Sequence, residues 1–425
     1  MGRRATGSDE RFAAYIEGLS SVIGHADRVG PLRDYCVGLI MPADRKSVEP
    51  MAALTAPSRV SAQHQSLLHF VSKGCWSDDA VLTKVREMVL PMIERHGAIE
   101  AWIIDDTGMP KQGRHSVGVA RQYCGQLGKQ DSCQVAVSLS LANAHASLPV
   151  AYRLYLPQDW IDDTERRCKV GVPDDVTFIT KPQIALEQIR AAHAAGLPRG
   201  VVLMDAGYGV DAKLRMGITE LGLAYVGGVL PNTLAWTPGT RPEPGAAAPK
   251  KGRRDDDDIV SLKEIALALP KAAWRNIEWR QGTCGVLASR FARVRIHVAH
   301  RHTTAGDRVA EWLLIEWPID EKEPTKYWLS TLPEDIDFTK LVDTAKLRWR
   351  IERDYQDLKQ EVGLGHYEGR GWRGFHHHAT LCIAAYGFLI SERETIPPSK
   401  ARSPTLVPQL ALPQNWRPRG AAAST

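Results

Sequence analysis

The hydrophobic pattern of the chain changes its period near residue 96, and this change limits the possible folds more than any other feature. Before it, residues 9–95 carry apolar residues at helical spacing. After it come four short apolar runs typical of strands, at 98–108, 134–142, 148–156 and 201–209. An amphipathic helix is predicted at 182–196, between the last two runs. The order strand, strand, strand, helix, strand predicts an α/β fold.

Pattern and composition together divide the chain of 425 residues into five parts. Residues 236–258 are rich in Pro and Gly with a block of opposite charges, which predicts a solvated loop, and strand-like segments follow from about 275 to 335. Apolar residues at helical spacing begin again at Phe338. The end of the chain is rich in Pro and Arg and is expected to be disordered. The predicted parts are a helical domain at 1–95, the first part of an α/β core at 96–235, a β-rich insertion at 236–334, the second part of the core at 335–395, and a tail at 396–425.

The charge balance and the cysteines narrow the class of protein only slightly. The formal charge is +5, with 54 Lys and Arg against 49 Asp and Glu, which permits a polyanionic partner without identifying one. The seven cysteines include no C-x-x-C pair, so a zinc finger or a disulfide framework is not expected. The sequence shows no signal peptide and no apolar run long enough to span a membrane, which favours a cytoplasmic protein without a membrane partner.

Two of the apolar runs end in carboxylates. Asp105 and Asp106 stand in WIIDDTG, where a strand would place them on opposite faces, so only one of them can meet a shared ligand. Asp205 ends VVLM and is followed by Gly207 and Gly209. Ligands of open α/β sheets bind at the carboxyl ends of the strands, which is where these groups are predicted to lie. Each Asp alone is also explained as a turn residue.

Residues 345–365 carry the most informative charged pattern. At about 100° per residue on a helix, one apolar stripe holds Leu347, Ile351, Tyr355, Leu358 and Val362. Arg348, Glu352 and Lys359 fall together on the edge of that stripe. A solvated face with an Arg–Glu pair explains this pattern equally well, until it is combined with the two aspartate segments.

Three carboxylates from separate elements suit two-metal phosphoryl transfer. Two divalent ions about 3.5–4 Å apart activate the attacking oxygen and stabilise the leaving oxygen of a phosphodiester. Mg²⁺ prefers oxygen ligands and keeps several waters, so a few carboxylates are sufficient. Arg348 and Lys359 would then contact the phosphates beside the metal ions.

The three segments in this order resemble the motifs of bacterial insertion-sequence DDE transposases. The third motif of that family is Y-(2)-R-(3)-E-(6)-K, and Arg348, Glu352 and Lys359 match its last three places, whereas Ala345 stands where the Tyr would be. IIDDTG is similar to the strand of the first Asp. Aligning the D-T pair selects Asp106, which we favour, and a D-x-T alignment selects Asp105. VVLMDAGYG is similar to the strand of the second Asp and selects Asp205.

The resemblance covers residues 95–395 and implies a fold, a reaction and partners. The fold is a ribonuclease-H-like core with a largely β insertion domain. The N-terminal helical domain, which lies outside the resemblance, is expected to bind DNA ends. The reaction is cut-and-paste transposition, in which Asp106 (or Asp105), Asp205 and Glu352 bind two Mg²⁺ ions, with Mn²⁺ as a substitute. The partners are double-stranded DNA, as terminal inverted repeats and target, and a second copy in a homodimer. The setting is the bacterial cytoplasm, at the nucleoid.

The resemblance also implies that a Trp of the insertion stacks on a flipped base and that cleavage passes through hairpin ends. Trp328 in KYWLSTL is the nearest match, Trp312 competes with it, and a place in the core is at least as good an explanation for Trp328.

Further DNA contacts are predicted from two other segments. The Gly-rich basic stretch at 113–130 offers Arg121 to the DNA backbone, together with Arg114 and Lys129, although a plain solvated hairpin explains it nearly as well. Arg370 or Arg373 is expected to contact phosphate, whereas three consecutive histidines at 376–378 cannot all face one metal ion on a helix.

Three other kinds of protein remain as alternatives. Another ribonuclease-H-like nuclease would share the carboxylates but lack strand transfer. A domesticated DNA-binding protein would carry an inactive site. A two-carboxylate glycosidase would need neither Arg348 nor Lys359 and would not depend on metal.

Overall fold

The computed structural model describes residues 7–240, 258–282, 285–299 and 309–395. Most of the loop predicted at 236–258 and the whole tail predicted at 396–425 lie outside the described residues. The described part contains both helices and strands, so the mixed α/β class is confirmed.

The N-terminal part is helical, as its apolar spacing predicts. Its helices are α1 (Ser8–Ser20), α2 (Val29–Ile40), α3 (Val48–Thr55), α4 (Val60–Ser72) and α5 (Asp78–Glu94). Ser77 caps α5, since its Oγ accepts the Ala80 N–H at 3.2 Å.

The first four strands of the chain are β1 (Ala101–Pro110), β2 (Ala120–Cys124), β3 (Lys129–Ala142) and β4 (Ser147–Leu154). Next come the helices α6 (Gln158–Asp162), α7 (Thr164–Val170) and α8 (Lys181–Ala194). Strand β5 (Val201–Met204) leads into the short helix α9 (Ala206–Gly209), and α10 (Ala212–Glu220) precedes β6 (Tyr225–Val229). These elements contain the predicted order, with β2 added before the second predicted strand and the short helices α6 and α7 added before the predicted helix.

Strands continue into the region predicted as an insertion. Its elements are β7 (Leu234–Trp236), β8 (Ile259–Ser261), α11 (Leu262–Ala268), β9 (Arg275–Gly282), β10 (Gly285–Ile296), β11 (Glu311–Trp317) and β12 (Lys326–Ser330). β7 and β8 form a small sheet of their own. The chain then returns to helices in α12 (Phe338–Lys346), α13 (Trp349–Gln360) and α14 (Trp372–Thr395).

One large mixed sheet organises the described part of the chain. It has ten strands in the order β2-β3-β1-β5-β6-β12-β11-β10-β9, with β4 paired to β3 off this path. β1, β5 and β6 run parallel, and β12 joins β6 antiparallel. Strands β9 to β12 therefore extend the sheet that carries the two aspartate segments.

The two faces of β1 pack against different helices. Ala101 and Ile103 belong to one core with Ile351 of α13. Trp102 and Ile104 belong to another core with Ile184 of α8. Since side chains alternate along a strand, odd positions of β1 face α13 and even positions face α8.

The first and last helices of the described chain meet. Tyr15 OH donates to Ala384 O at 2.8 Å in the buried interface between α1 and α14, and Arg11 Nε lies 2.6 Å from Glu392 Oε1. Helices α2, α4 and α5 also contact α14, so the N-terminal helices share a core with the last helix. None of the helices in the described ranges is long and apolar enough to cross a membrane.

Candidate active site

A cavity of about 840 Å³ lies beside the second half of β1 and the carboxyl end of β5. It is lined by four carboxylates, which come from three distant parts of the chain: Asp105, Asp106, Asp205 and Glu352. It is also lined by three cationic side chains, Lys181, Arg348 and Lys359. The structure thus brings together all the carboxylates that the sequence singled out, and two of the predicted cations.

The adjacent residues Asp105 and Asp106 have different partners because they point to opposite faces of β1. Asp105 Oδ2 accepts from Arg348 Nη1 at 2.7 Å, on the side of α13. Asp106 Oδ2 accepts from Lys181 Nζ at 3.0 Å and from Tyr208 OH at 3.1 Å, on the side of α8. Asp105, the alternative to Asp106 in the sequence analysis, is the one that shares a partner with Glu352.

Asp205 lies beside Asp105. The parallel register that pairs Ile104 with Met204 puts the residues that follow them next to each other. Asp205 also caps α9, since its Oδ1 accepts the N–H groups of Gly207 at 2.8 Å and Tyr208 at 3.3 Å. One carboxylate oxygen is therefore fixed by the backbone of the turn that follows β5.

The turn after Asp205 depends on a close approach between two backbones. A Cβ on Gly209 would lie 2.0 Å from Gly228 O of the neighbouring strand β6. No side chain fits there, so glycine at 209 allows α9 to pack directly on β6.

Glu352 reaches the cavity from the first turn of α13. Its Oε1 accepts from Arg348 Nη2 at 3.0 Å, and its side chain is 64% exposed. Lys359, two turns later, donates from Nζ to Gly108 O at 2.9 Å and so attaches α13 to β1. The predicted apolar stripe holds the other side of this helix, with Ile351 and Leu358 buried.

Burial and charge shift the pKa values of this cluster. Burial raises the pKa of Asp105 to about 7; the Arg348 guanidinium opposes this shift, and the charges of Asp205 and Asp106 add to it. Burial lowers the pKa of the Lys359 ammonium, although Asp105 and Asp106 partly offset the effect. Arg348 therefore favours the charged form of Asp105, but the effect of burial is larger.

The donor set fits a hard divalent cation, although its members are held by other groups. Among the described residues, no three carboxylate, His or Cys side chains lie close enough together to hold a metal ion. The Arg348 guanidinium lies between Asp105 and Glu352 and pairs with both. All the candidate ligands around it are carboxylate oxygens, which Mg²⁺ and Mn²⁺ prefer.

Two other predicted groups lie away from the cavity. Trp328 is 9% exposed and belongs to the core between the sheet and α12, and Trp312 of the same core donates from Nε1 to Pro333 O at 3.1 Å. Arg121 on β2 and Arg370 before α14 are exposed, but neither lines the cavity.

The three histidines at 376–378 have separate partners. His377 contacts Asp78 and the carbonyl of Gly74, whereas His378 contacts Tyr35 and the carbonyl of Gly363. They do not form a joint site, as expected from their spacing on a helix.

Sequence reasoning missed several residues that line the cavity: Tyr123, Lys181, Tyr208 and Tyr355. Tyr355 OH bonds to Ser138 Oγ at 2.8 Å, beside Asp105 on β1. The helical spacing assigns Tyr355 to the apolar stripe. Its hydroxyl group is the one feature of the residue that indicates a polar partner. Lys181 carried a weak signal, because it stands directly before Pro182 at the start of a predicted helix.

Comparison with known proteins identifies the family of this chain. Residues 18–286 match the family described as DDE superfamily endonuclease, which is more than half of the chain, and the chain belongs to that family. The resemblance drawn from the motifs is thereby confirmed at the level of the family. The matched residues include the two aspartate segments and end before Glu352.

A named relative is the probable transposase for insertion sequence element IS701 of Microchaete diplosiphon. It is 28% identical over 191 residues, which is 45% of this chain and 46% of the relative. The chain thus matches about half the length of that protein.

Proposed function

We propose that this protein is a transposase that binds the ends of an insertion sequence, cuts the DNA there and joins it to a target. The observation that carries the proposal is the meeting of Asp105, Asp205 and Glu352 at one cavity, with Arg348 between two of them. Membership of the DDE endonuclease family and the likeness to a probable transposase support it.

The sheet supports a ribonuclease-H-like core. The strands β4-β3-β1-β5-β6 lie side by side, with β1, β5 and β6 parallel and β3 and β4 antiparallel to their neighbours. Strands β9 to β12 form the β-rich insertion, which is joined to the core edge through β12. The helical region α1–α5 is the proposed DNA-end-binding part.

We assign the metal-binding carboxylates to Asp105, Asp205 and Glu352. Asp105 replaces Asp106 in this set because it lies on the face of β1 that meets α13. Two Mg²⁺ ions held there, or Mn²⁺ in their place, would activate the attacking oxygen and stabilise the leaving oxygen of a phosphodiester. Glu352 must leave Arg348 to become a ligand, and its exposed side chain is free to rotate.

The cations of the cavity act on the DNA itself. Once Glu352 turns away, Arg348 has donors available for a phosphate oxygen, which a guanidinium binds with two parallel hydrogen bonds. Lys359 lines the cavity and keeps α13 against β1 through Gly108 O, and its ammonium group has two further N–H donors. Arg121 and Arg370 are exposed for contacts with the DNA backbone.

The proposed partners are duplex DNA and a second copy of the chain in the DNA complex. In this proposal, the formation of hairpins at the DNA ends is one route by which the second DNA strand is cut. The base-stacking role of Trp328 would require its ring to leave the core in which it is buried.

The test is cleavage of a labelled duplex that carries the element end, with Mg²⁺ and with EDTA, by the wild type and by Glu352→Gln. The proposal is supported if the duplex is cut at the element end, if this cutting requires Mg²⁺, and if Glu352→Gln abolishes it. Binding without cutting under either condition overturns it in favour of a DNA-binding protein with an inactive site.

A further inference from the structure

The cavity has a second wall that the proposed chemistry does not use. One wall is α13, with Arg348 and Glu352. The other is built from Lys181, the first residue of α8, and from Tyr123, Gly125 and Gln126 of the β2–β3 hairpin.

Asp106 holds Lys181 at this second wall. Asp106 Oδ2 accepts from Lys181 Nζ at 3.0 Å, and Tyr208 OH donates to the same oxygen at 3.1 Å. The Lys181 side chain remains 30% exposed to the cavity. An ammonium group has three N–H donors, so the ion pair leaves Lys181 able to bind an anion.

The hairpin presents an aromatic ring at the rim of the same cavity. Tyr123 is 60% exposed, and Gln126 with its amide group lies three residues further on. Exposed aromatic rings stack on nucleobases of any sequence, and Gln amides bond to base edges.

The hairpin packs tightly on β1 at the end of β2, which holds the backbone beside Tyr123 against β1. A Cβ on Gly108 would lie 3.0 Å from Cys124 Sγ and 3.1 Å from Cys124 Cα. Cys124, Cys133 and Val135 form a small buried cluster at this point. Tyr123 precedes Cys124, so its backbone is anchored beside the aspartates of β1.

We propose that this second wall is a nucleotide-binding subsite for the DNA strand, in which Lys181 binds a phosphate and Tyr123 stacks on a neighbouring base. The inference rests on the proposed function only in taking DNA as the substrate. Asp106 is then a positioning residue, which acts through Lys181.

The phosphate contact is tested by binding in EDTA, where no cutting occurs. The probe is a short fluorescein-labelled single-stranded DNA of mixed sequence. Its fluorescence anisotropy is measured at several salt concentrations to give the Kd. Lys181→Ala is expected to weaken binding about five- to tenfold at low salt and to reduce the slope of log Kd against log salt by about one. Lys181→Arg restores both. Lys169→Ala removes an exposed lysine of α7 and serves as the matched control.

The stacking contact is tested with the same probe carrying 2-aminopurine. Tyr123→Ala is expected to weaken binding about tenfold and to abolish the quenching of the fluorescent base, whereas Tyr123→Phe keeps both. Unchanged affinity and salt slope in Lys181→Ala, or unchanged quenching in Tyr123→Ala, overturns the subsite. Circular dichroism melting verifies that each variant is folded.

A pair of aspartate variants separates this subsite from the proposed function. Asp105→Asn is expected to abolish Mg²⁺-dependent cleavage while binding in EDTA stays intact. Asp106→Asn is expected to weaken binding in EDTA and to raise KM more than it lowers kcat. Loss of cleavage in Asp106→Asn with normal binding overturns the positioning role. If the wild type binds but never cuts, the proposed function fails and the binding results still decide the subsite.

Discussion

Arg348 Nη1 lies 2.7 Å from Asp105 Oδ2, and the same guanidinium reaches Glu352 through its other nitrogen at 3.0 Å. One cation thus joins the strand of the first carboxylate to the helix of the last. Without it, a largely buried carboxylate would lose its counter-charge, and burial would raise its pKa further.

Arg348→Ala should therefore destabilise the metal-free protein by about 2 kcal/mol, because it leaves Asp105 without its partner. Mg²⁺ should raise the melting temperature of this variant more than that of the wild type, since no guanidinium competes for the carboxylates. Calorimetry with and without Mg²⁺ measures both effects. Arg353→Ala is the control, because Arg353 is an exposed arginine of the same helix that pairs with Asp357, and neither residue lines the cavity. If Mg²⁺ raised the melting temperatures of the wild type and of Arg348→Ala equally, Arg348 would not occupy the place of a metal ion.

Gly209→Ala should lower the free energy of unfolding by about 1–3 kcal/mol, because the new Cβ would collide with Gly228 O. The collision displaces the turn that begins at Asp205, so cleavage should fall as well. Urea denaturation gives the stability change. Gly30→Ala, in α2 with nothing within 4 Å of the added Cβ, should change stability by less than about 1 kcal/mol, and in the stabilising direction. Similar losses in both variants would refute a specific backbone contact.

The stability of the protein should fall as the pH falls from about 6.5 to 4, and His378 should contribute to this loss. Burial lowers the pKa of His378 to about 4. In this window the unfolded chain binds a proton at His378 that the folded chain does not, so stability rises with pH. The contribution reaches about 3 kcal/mol at the acid end.

His378→Gln should accordingly flatten the dependence of unfolding free energy on pH between these limits. Urea denaturation at several pH values measures the slope. His25→Gln removes an exposed histidine and should leave the slope unchanged. The assignment fails if His378→Gln has the same slope as the wild type.

Lys46→Met should destabilise the protein by about 2–3 kcal/mol. The buried Lys46 Nζ donates to the carbonyls of Leu39 and Glu361, at the ends of α2 and α13, and methionine would leave both acceptors unpaired. Chemical denaturation provides the measurement. Lys73→Met, at an exposed position after α4, should have almost no effect, and an equal loss there would show that the carbonyl contacts are unimportant.

Much of the candidate site could be predicted because its parts are local patterns. An apolar strand that ends in Asp predicts a carboxylate at a sheet edge, and the 3.6-residue period of α13 places Arg348 and Glu352 together. The structure places Asp205 directly after β5, and Arg348 lies 3.0 Å from Glu352. β1 instead continues to Pro110, so Asp105 and Asp106 lie within that strand. These features depend on neighbours within one element, which the sequence shows directly.

The rest depends on how elements pack, which no single segment reveals. Alternation showed that Asp105 and Asp106 point to opposite faces, but the face that meets α13 is decided by the core that contains both Ile103 and Ile351. In the same way, Lys181 becomes a cavity residue only because α8 packs on the side of Asp106. The pairing of β12 with β6, which extends the core sheet, joins segments about a hundred residues apart.

The contact of α1 with α14 has a consequence for the synthesis of the protein. Tyr15 bonds to Ala384 and Arg11 pairs with Glu392, so α1 can make these contacts only after α14 has been synthesised. Because a chain grows from its N-terminus, the N-terminal helices leave the ribosome long before the surface that they pack on. A premature stop before residue 372 would leave those helices with exposed apolar faces, and chains cut short in this way should be cleared by proteases.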